Sequence, residues 1–153
     1  MNGAVGELKG VKGWLLLLCL SLAIFDPSAV LVNLFVVTDA ARPYFARHPE
    51  FFRLILINGI IRIAFSVFSL YAGISLWRCL AGAPAIAGKY LLAVSAYALV
   101  TPFIPGLLGA GLYSSAETFA ISCLNSLLTI AYAGAWYLYL KRSRRVKATY
   151  YRT

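Results

Sequence analysis

Residues 54–77 read LILINGIIRIAFSVFSLYAGISLW, a run that holds 13 Leu, Ile, Val and Phe residues and one charge, Arg62. Crossing about 30 Å of hydrocarbon at about 1.5 Å per residue takes roughly 20 apolar residues in a helix. This run is long enough, and three others match it. They are Gly13 to Val37, interrupted by Asp26-Pro27; Tyr90 to Leu108; and Thr118 to Leu140. Short connections make consecutive helices antiparallel neighbours. The expectation is therefore an all-α integral membrane protein: one domain over residues 1–153, built as an antiparallel bundle of four transmembrane helices. The first helix is broken near Asp26-Pro27, and residues 141–153 form a basic tail.

Composition agrees. Of 153 residues 61% are apolar and 12% charged, against roughly 45–50% and about 25% in soluble domains; the mean hydropathy is +0.80. Such a chain is neither a disordered tail nor a disulfide-stapled secreted module. Cys19, Cys79 and Cys123 are odd in number and far apart, so neither a disulfide framework nor a metal site follows.

The formal net charge of +9 comes from 14 Lys and Arg against Glu7, Asp26, Asp39, Glu50 and Glu117. On a soluble protein this excess would suggest nucleic acid. Here the cations flank apolar runs, where they act as topology signals and contacts for anionic headgroups, and no nucleic-acid partner is expected. Lys9, Lys12, Arg78, Lys89, Lys141, Arg142, Arg144, Arg145, Lys147 and Arg152 fall on one side of the four spans; Arg42, Arg47 and Arg53 fall on the other. The positive-inside rule puts both termini in the cytoplasm.

Lys9 and Lys12 before the apolar Trp14 to Phe25 segment imitate a signal peptide, but no small-x-small cleavage site follows and apolar residues resume from Ala29 to Val37. A retained span is expected. Trp14, Tyr44, Tyr90, Tyr113 and the Trp136-Tyr137-Tyr139 cluster fall near span ends, as interfacial aromatic belts do.

Polar groups inside the spans are the candidate site. An Arg near a helix centre costs roughly 2.5–3.5 kcal/mol, and each apolar side chain returns about 0.3–0.6, so the second span inserts while Arg62 still needs partners. Asn58, Arg62, Ser66, Ser69 and Gly73 recur at intervals of four, four, three and four, a single helix stripe that should face the bundle. At about 1.5 Å per residue Asp26 lies ~10 Å and Arg62 ~12 Å from the outer membrane edge. The matching depths predict an ion pair. It would serve as a structural lock or line a ligand or proton site; alternatively Asp26, followed by Pro27-Ser28, caps the helix that restarts after the break.

The fourth span carries Thr118, Ser122, Asn125 and Thr129 on one face, expected to hydrogen-bond between helices, with Ala131, Gly134 and Ala135 as a small-residue patch for close packing. The third ends in Thr101-Pro102-Phe103-Ile104-Pro105-Gly106, where two prolines force a kink or an early end. Two discontinuities in the outer half leave two readings open: a kinked bundle, or an outward cavity lined by Asp26, Asn58, Arg62 and Asn125.

Catalysis has little support. His48, the sole histidine, precedes Pro49 in the first outer connection, and Asp26 is the sole carboxylate within a span, so the paired carboxylates of an intramembrane aspartyl enzyme are missing. Ser114-Ser115 near Glu117 read as a helix cap, and Gly106, Gly109 and Gly111 match no phosphate-binding pattern. No enzyme activity and no cofactor are expected.

The tail places Lys141, Arg142, Arg144, Arg145 and Lys147 beside the membrane. These cations suit a stop signal and anionic-headgroup anchor, or docking to a cytoplasmic partner with Val146, Tyr150 and Tyr151 as apolar contacts.

Two stretches carry a family resemblance: Gly10-Val11-Lys12-Gly13-Trp14-Leu15-Leu16-Leu17, and Ala135-Trp136-Tyr137-Leu138-Tyr139-Leu140-Lys141-Arg142-Ser143-Arg144-Arg145-Val146-Lys147-Ala148-Thr149-Tyr150. With Pro27 and Pro84, they resemble the domain-of-unknown-function 2569 family of small bacterial inner-membrane proteins. The resemblance implies a four-helix membrane protein and supplies no reaction, cofactor or substrate. The expected function is that of a structural or accessory protein binding a membrane partner, lipid or second copy. The alternative is a small transport or ligand-binding subunit using the intramembrane polar site of Asp26, Asn58, Arg62, Ser66 and Asn125.

Overall fold

A computed structural model describes residues 10–45, 49–107 and 115–151. Four of its helices are long and apolar enough to cross a membrane: Trp14–Ala41 (α1), Pro49–Trp77 (α2, apolar from Phe52), Ala83–Leu107 (α3) and Ala116–Arg142 (α4). A fifth, Arg144–Tyr150 (α5), follows α4 after one residue. This is the architecture of a multi-pass membrane protein. Large apolar side chains point outward, Phe35 at 76% and Leu107 at 75% exposure among them, as a lipid solvent requires; helices suit that solvent because they satisfy their own backbone groups.

Contacts between α1 and α2, α2 and α3, and α3 and α4 carry most of the packing. Paired positions run in opposite directions at the first two of these interfaces. Asp26 meets Ser69 and Asn33 meets Arg62; Phe68 packs on Tyr90 and Phe65 on Tyr97; Phe103 packs on Phe119. The rings of Trp14 and Trp136, 6.4 Å apart, join α1 to α4.

Pro27 has no N–H to give to the preceding turn and its ring crowds the carbonyl four residues back. The chain accommodates it with a π-helical turn over Ser21–Phe25 immediately before Asp26. The expected discontinuity thus takes the form of a widened turn inside α1. Asp26 itself has helical dihedrals, and its side chain accepts from Ser69 and Tyr90 of the neighbouring helices, so the capping alternative gives way to that contact. The two prolines of α3 produce a 3-10 turn over Thr101–Phe103, after which the helix resumes to Leu107. α3 also begins earlier than its apolar run: Gly82 is left-handed and Pro84 occupies the first turn. Lys89 is therefore a helical residue and not part of a loop.

The core is concentrated at one end of the bundle. Leu15, Leu18, Cys19 and Leu22 of α1, Leu76 of α2, Leu91 of α3, Leu140 of α4 and Val146 of α5 are all buried, and all lie toward the termini. Gly73 permits this closure of α1 on α2, since a Cβ there would fall 2.7 Å from the backbone nitrogen of Ala23. The small-residue patch expected on α4 is turned differently. Ala133 is the buried residue, Ala131 and Ala135 are exposed, and nothing approaches the Cβ direction of Gly134.

Candidate functional site: two polar layers and a basic groove

Polar side chains within the spans form two layers. In the layer nearer the termini Asp26 accepts from the Ser69 hydroxyl at 3.3 Å and the Tyr90 hydroxyl at 3.1 Å. Ser69 has one hydroxyl proton and shares it with the Leu22 carbonyl, which accepts at 2.8 Å and belongs to the π-helical turn. Widening a helix frees carbonyls from their regular partners, and a buried hydroxyl answers that need. In the farther layer Arg62 donates to the Asn33 side-chain oxygen. Beside it, the Tyr97 hydroxyl donates to Asn58 at 2.6 Å.

The polar stripe of α2 thus faces inward as its spacing predicts. Its pairing differs from expectation: among the described residues Asp26 and Arg62 take separate partners. Asp26 lies opposite Ser69, seven residues from Arg62 along α2, a displacement of ~10 Å at about 1.5 Å per residue. Equal depth counted from apolar run ends does not give equal depth in the bundle, because the helices extend past those ends by different amounts.

Asn33, Tyr90 and Tyr97 were not identified as site residues by the sequence reading. Tyr90 lies near the start of its apolar run, which suggested an interfacial ring; it is instead 5% exposed and turned onto Asp26. The available signal was a repeat of seven: Asp26 and Asn33 on α1, Arg62 and Ser69 on α2, and Tyr90 and Tyr97 on α3. Seven residues are about two helical turns and return to the same face.

A cavity of about 260 Å³ opens beside the farther layer, where the bundle is less tightly closed. Arg62 and Tyr97 enter it from one side, and Ser122, Asn125, Ser126 and Thr129 of α4 from the other. A smaller cavity of about 110 Å³ between α1 and α2 is lined by Asn33, Asn58 and Arg62, so Arg62 borders both. Ser66 is half-buried on the intervening turn of α2 and lines neither. On α4 the Thr129 hydroxyl bonds its own helix at the Asn125 carbonyl, 2.8 Å away, and Thr118 pairs with Ser115, the N-cap of α4. The polar face of α4 therefore lines a cavity, and its two threonines bond locally instead of between helices.

The tail is also organised. Ser143 ends α4 in an extended conformation and its hydroxyl accepts from the Val146 N–H at the start of α5. One serine thus stops one helix and caps the next. The turn folds α5 against the bundle: Val146 is fully buried, and the Tyr150 hydroxyl donates to the Leu76 carbonyl in the last turn of α2 at 2.5 Å. Burial pushes the Tyr150 phenol well above its usual pKa, keeping it a donor. Gly10 N–H reaches the Thr149 hydroxyl at 3.3 Å, so the opening and closing motifs touch. Val146 and Tyr150, read from sequence as surfaces for a partner, are consumed by this chain's own bundle; Tyr151 remains exposed.

Folding α5 back creates a cavity of about 750 Å³ between α3, α4 and α5. Lys89, Lys141 and Lys147 line it. His48, Gly109, Gly111, Tyr113 and Ser114 lie outside the described residues, as do the side chains of Tyr44 and Glu50. The cysteines are free: Cys19 buried, Cys123 half-buried and Cys79 exposed.

The family model described as "Protein of unknown function (DUF2569)" matches residues 8–151. No curated protein and no solved structure matches the chain. The chain belongs to the DUF2569 family.

Proposed function

We propose that this protein is a non-catalytic accessory protein of a bacterial inner membrane, with both termini in the cytoplasm, that acts by holding an anionic membrane lipid at its termini-bearing end. The observation that carries this reading is the docking of α5: Val146 is buried in the core while Lys147 joins Lys89 and Lys141 at one cavity. The distribution of cations across the spans supports the orientation. Asp26 is satisfied by Ser69 and Tyr90, an arrangement suited to holding helices together, which supports a structural role over an acid–base one.

The test is extraction into native nanodiscs, with analysis of the lipids retained. Enrichment of anionic lipids over the surrounding membrane is the expected result; retention in bulk proportions overturns the reading. Orientation is checked on Cys79, which is exposed beyond the end of α2. A membrane-impermeant maleimide should label it only after the cells are opened, and labelling of intact cells reverses the topology.

A second reading follows from the cavity beside Arg62, whose lining of one cation, hydroxyls and an amide suits a small anionic or strongly polar solute. Native mass spectrometry of wild type and Arg62→Gln tests it. A discrete small adduct lost on substitution, with the fold intact, favours a ligand-binding or transport subunit; a lower melting temperature with no adduct in either form leaves Arg62 a structural group.

A further inference from the structure

Three lysines far apart in sequence are brought to one groove by three different helices. Lys89 comes from the second turn of α3, Lys141 from the last turn of α4 and Lys147 from α5. Among the described residues, no acidic side chain lines the groove. Like charges repel, so their convergence without a counter-charge leaves a site whose electrostatic complement is an anion. The rest of the wall is largely apolar: Leu92 and Leu140 lie along it, and the Lys141 ammonium lies 5.2 Å from the centre of the Tyr137 ring, within cation–π range.

The groove is at the end of the spans, with its apolar wall continuing along α3 and α4 toward the membrane interior. At about 750 Å³ it falls within the roughly 300–1,000 Å³ of small-molecule sites. A soluble anion would use the lysines and leave the apolar wall uncovered. An anionic amphiphile uses both.

We propose that this groove is a discrete binding site for one anionic phospholipid. Its phosphate is held by Lys89, Lys141 and Lys147, and the start of its acyl chains runs along Leu92 and Leu140. The proposal rests on the lipid-binding reading above and sharpens it, because general electrostatic attachment of the tail would draw equally on Arg142, Arg144 and Arg145, and none of these lines the groove.

The test uses the full-length chain in mild detergent, read by native mass spectrometry during titration with phosphatidylglycerol and, as a zwitterionic control, phosphatidylcholine. Four proteins are compared: wild type, Lys89→Gln/Lys141→Gln/Lys147→Gln, Arg142→Gln/Arg144→Gln/Arg145→Gln, and Ala85→Trp. Ala85 is an exposed residue of the groove wall, so the indole obstructs the site while every charge remains.

Wild type is expected to hold one phosphatidylglycerol per chain in preference to phosphatidylcholine. The lysine variant should bind it on the order of a hundredfold more weakly, each lysine contributing about fivefold. The arginine variant should retain it, and Ala85→Trp should lose it. Equal losses from the lysine and arginine variants, or undiminished binding in Ala85→Trp, overturn the groove while leaving a general lipid-binding role standing. Absence of any preference for anionic lipid overturns both. Inorganic phosphate that displaces the lipid and raises the melting temperature of lipid-free wild type as much as the lipid does would make the occupant a soluble anion, against the proposal. The lysine variant is compared with wild type for lipid-free melting temperature; if it unfolds, Ala85→Trp decides.

Discussion

Arg62 and Asp26 lie on facing helices about two turns out of register: Arg62 bonds Asn33, and Asp26 accepts from Ser69 and Tyr90. The two charges are thereby assigned to different layers with different neighbours. Asp26 joins α1, α2 and α3 beneath the farther cavity, whereas Arg62 borders two cavities. A lock made of hydroxyls and amides is reached without pairing the charges.

This register predicts the outcome of double-mutant cycles. Arg62→Gln and Asn33→Ala should couple by about 0.6–1.7 kcal/mol, the span of intramembrane hydrogen bonds. Arg62→Gln and Asp26→Asn should add within about 0.5 kcal/mol, as separated sites do. Reversible unfolding in mixed micelles measures both, and strong coupling to Asp26 would refute the register.

Removing a donor from the layer nearer the termini leaves Asp26 with one hydroxyl partner. Tyr90→Phe should destabilise the bundle by about 1–3 kcal/mol, measured by the same unfolding assay. In an Asp26→Leu background its effect should be much smaller, because the acceptor that needs the hydroxyl is gone.

The close approach of α1 to α2 is set by Gly73, where an added Cβ meets Ala23 at 2.7 Å, while Gly134 faces open space. Gly73→Ala should therefore cost about 1–3 kcal/mol from overpacking. Gly134→Ala should be neutral or stabilising by up to about 1 kcal/mol on helix propensity. Opposite signs in the two melting temperatures confirm which glycine is a contact.

Alkaline stability should depend on Tyr150. Its pKa is raised in the fold, mainly by burial, so the native state retains a proton that the unfolded state releases near the ordinary value of 10.0. The stability linked to that proton is fully present below pH 10, and is lost as pH rises toward the higher native value. Tyr150→Phe should lower stability at neutral pH by about 1 kcal/mol through loss of the bond to Leu76, and should show a shallower decline above pH 10. Melting temperatures from pH 8 to 11 provide the comparison, and parallel profiles would contradict it.

Much of this architecture was legible from apolar run length. The four spans of the sequence reading reappear as α1 to α4, and the stripe of Asn58, Arg62, Ser66, Ser69 and Gly73 faces inward as its spacing requires, because helical periodicity fixes which residues share a face. Depth was not legible to within two turns. Lys89 shows why: it marks the edge of an apolar run, yet Gly82 and Pro84 start the helix several residues earlier. The tail misled for a related reason. Arg144-Arg145-Val146-Lys147 reads as a charged strip, and the burial of Val146 follows from a one-residue turn at Ser143 that composition does not reveal.

The sequence by itself determined that this chain forms four membrane-length helices with one polar face apiece on α2 and α4, since a lipid solvent leaves an apolar run of that length few alternatives to a helix. Only the tertiary structure decided how the helices slide along one another. Lipid constrains the depth of an apolar run only loosely, through the modest cost of hydrophobic mismatch; within that latitude the register is chosen by close contacts such as Gly73 against Ala23 and by hydrogen bonds such as Tyr90 to Asp26. The same packing, and the fold-back of α5 onto Leu76, brings Lys89, Lys141 and Lys147 from separate stretches to one groove.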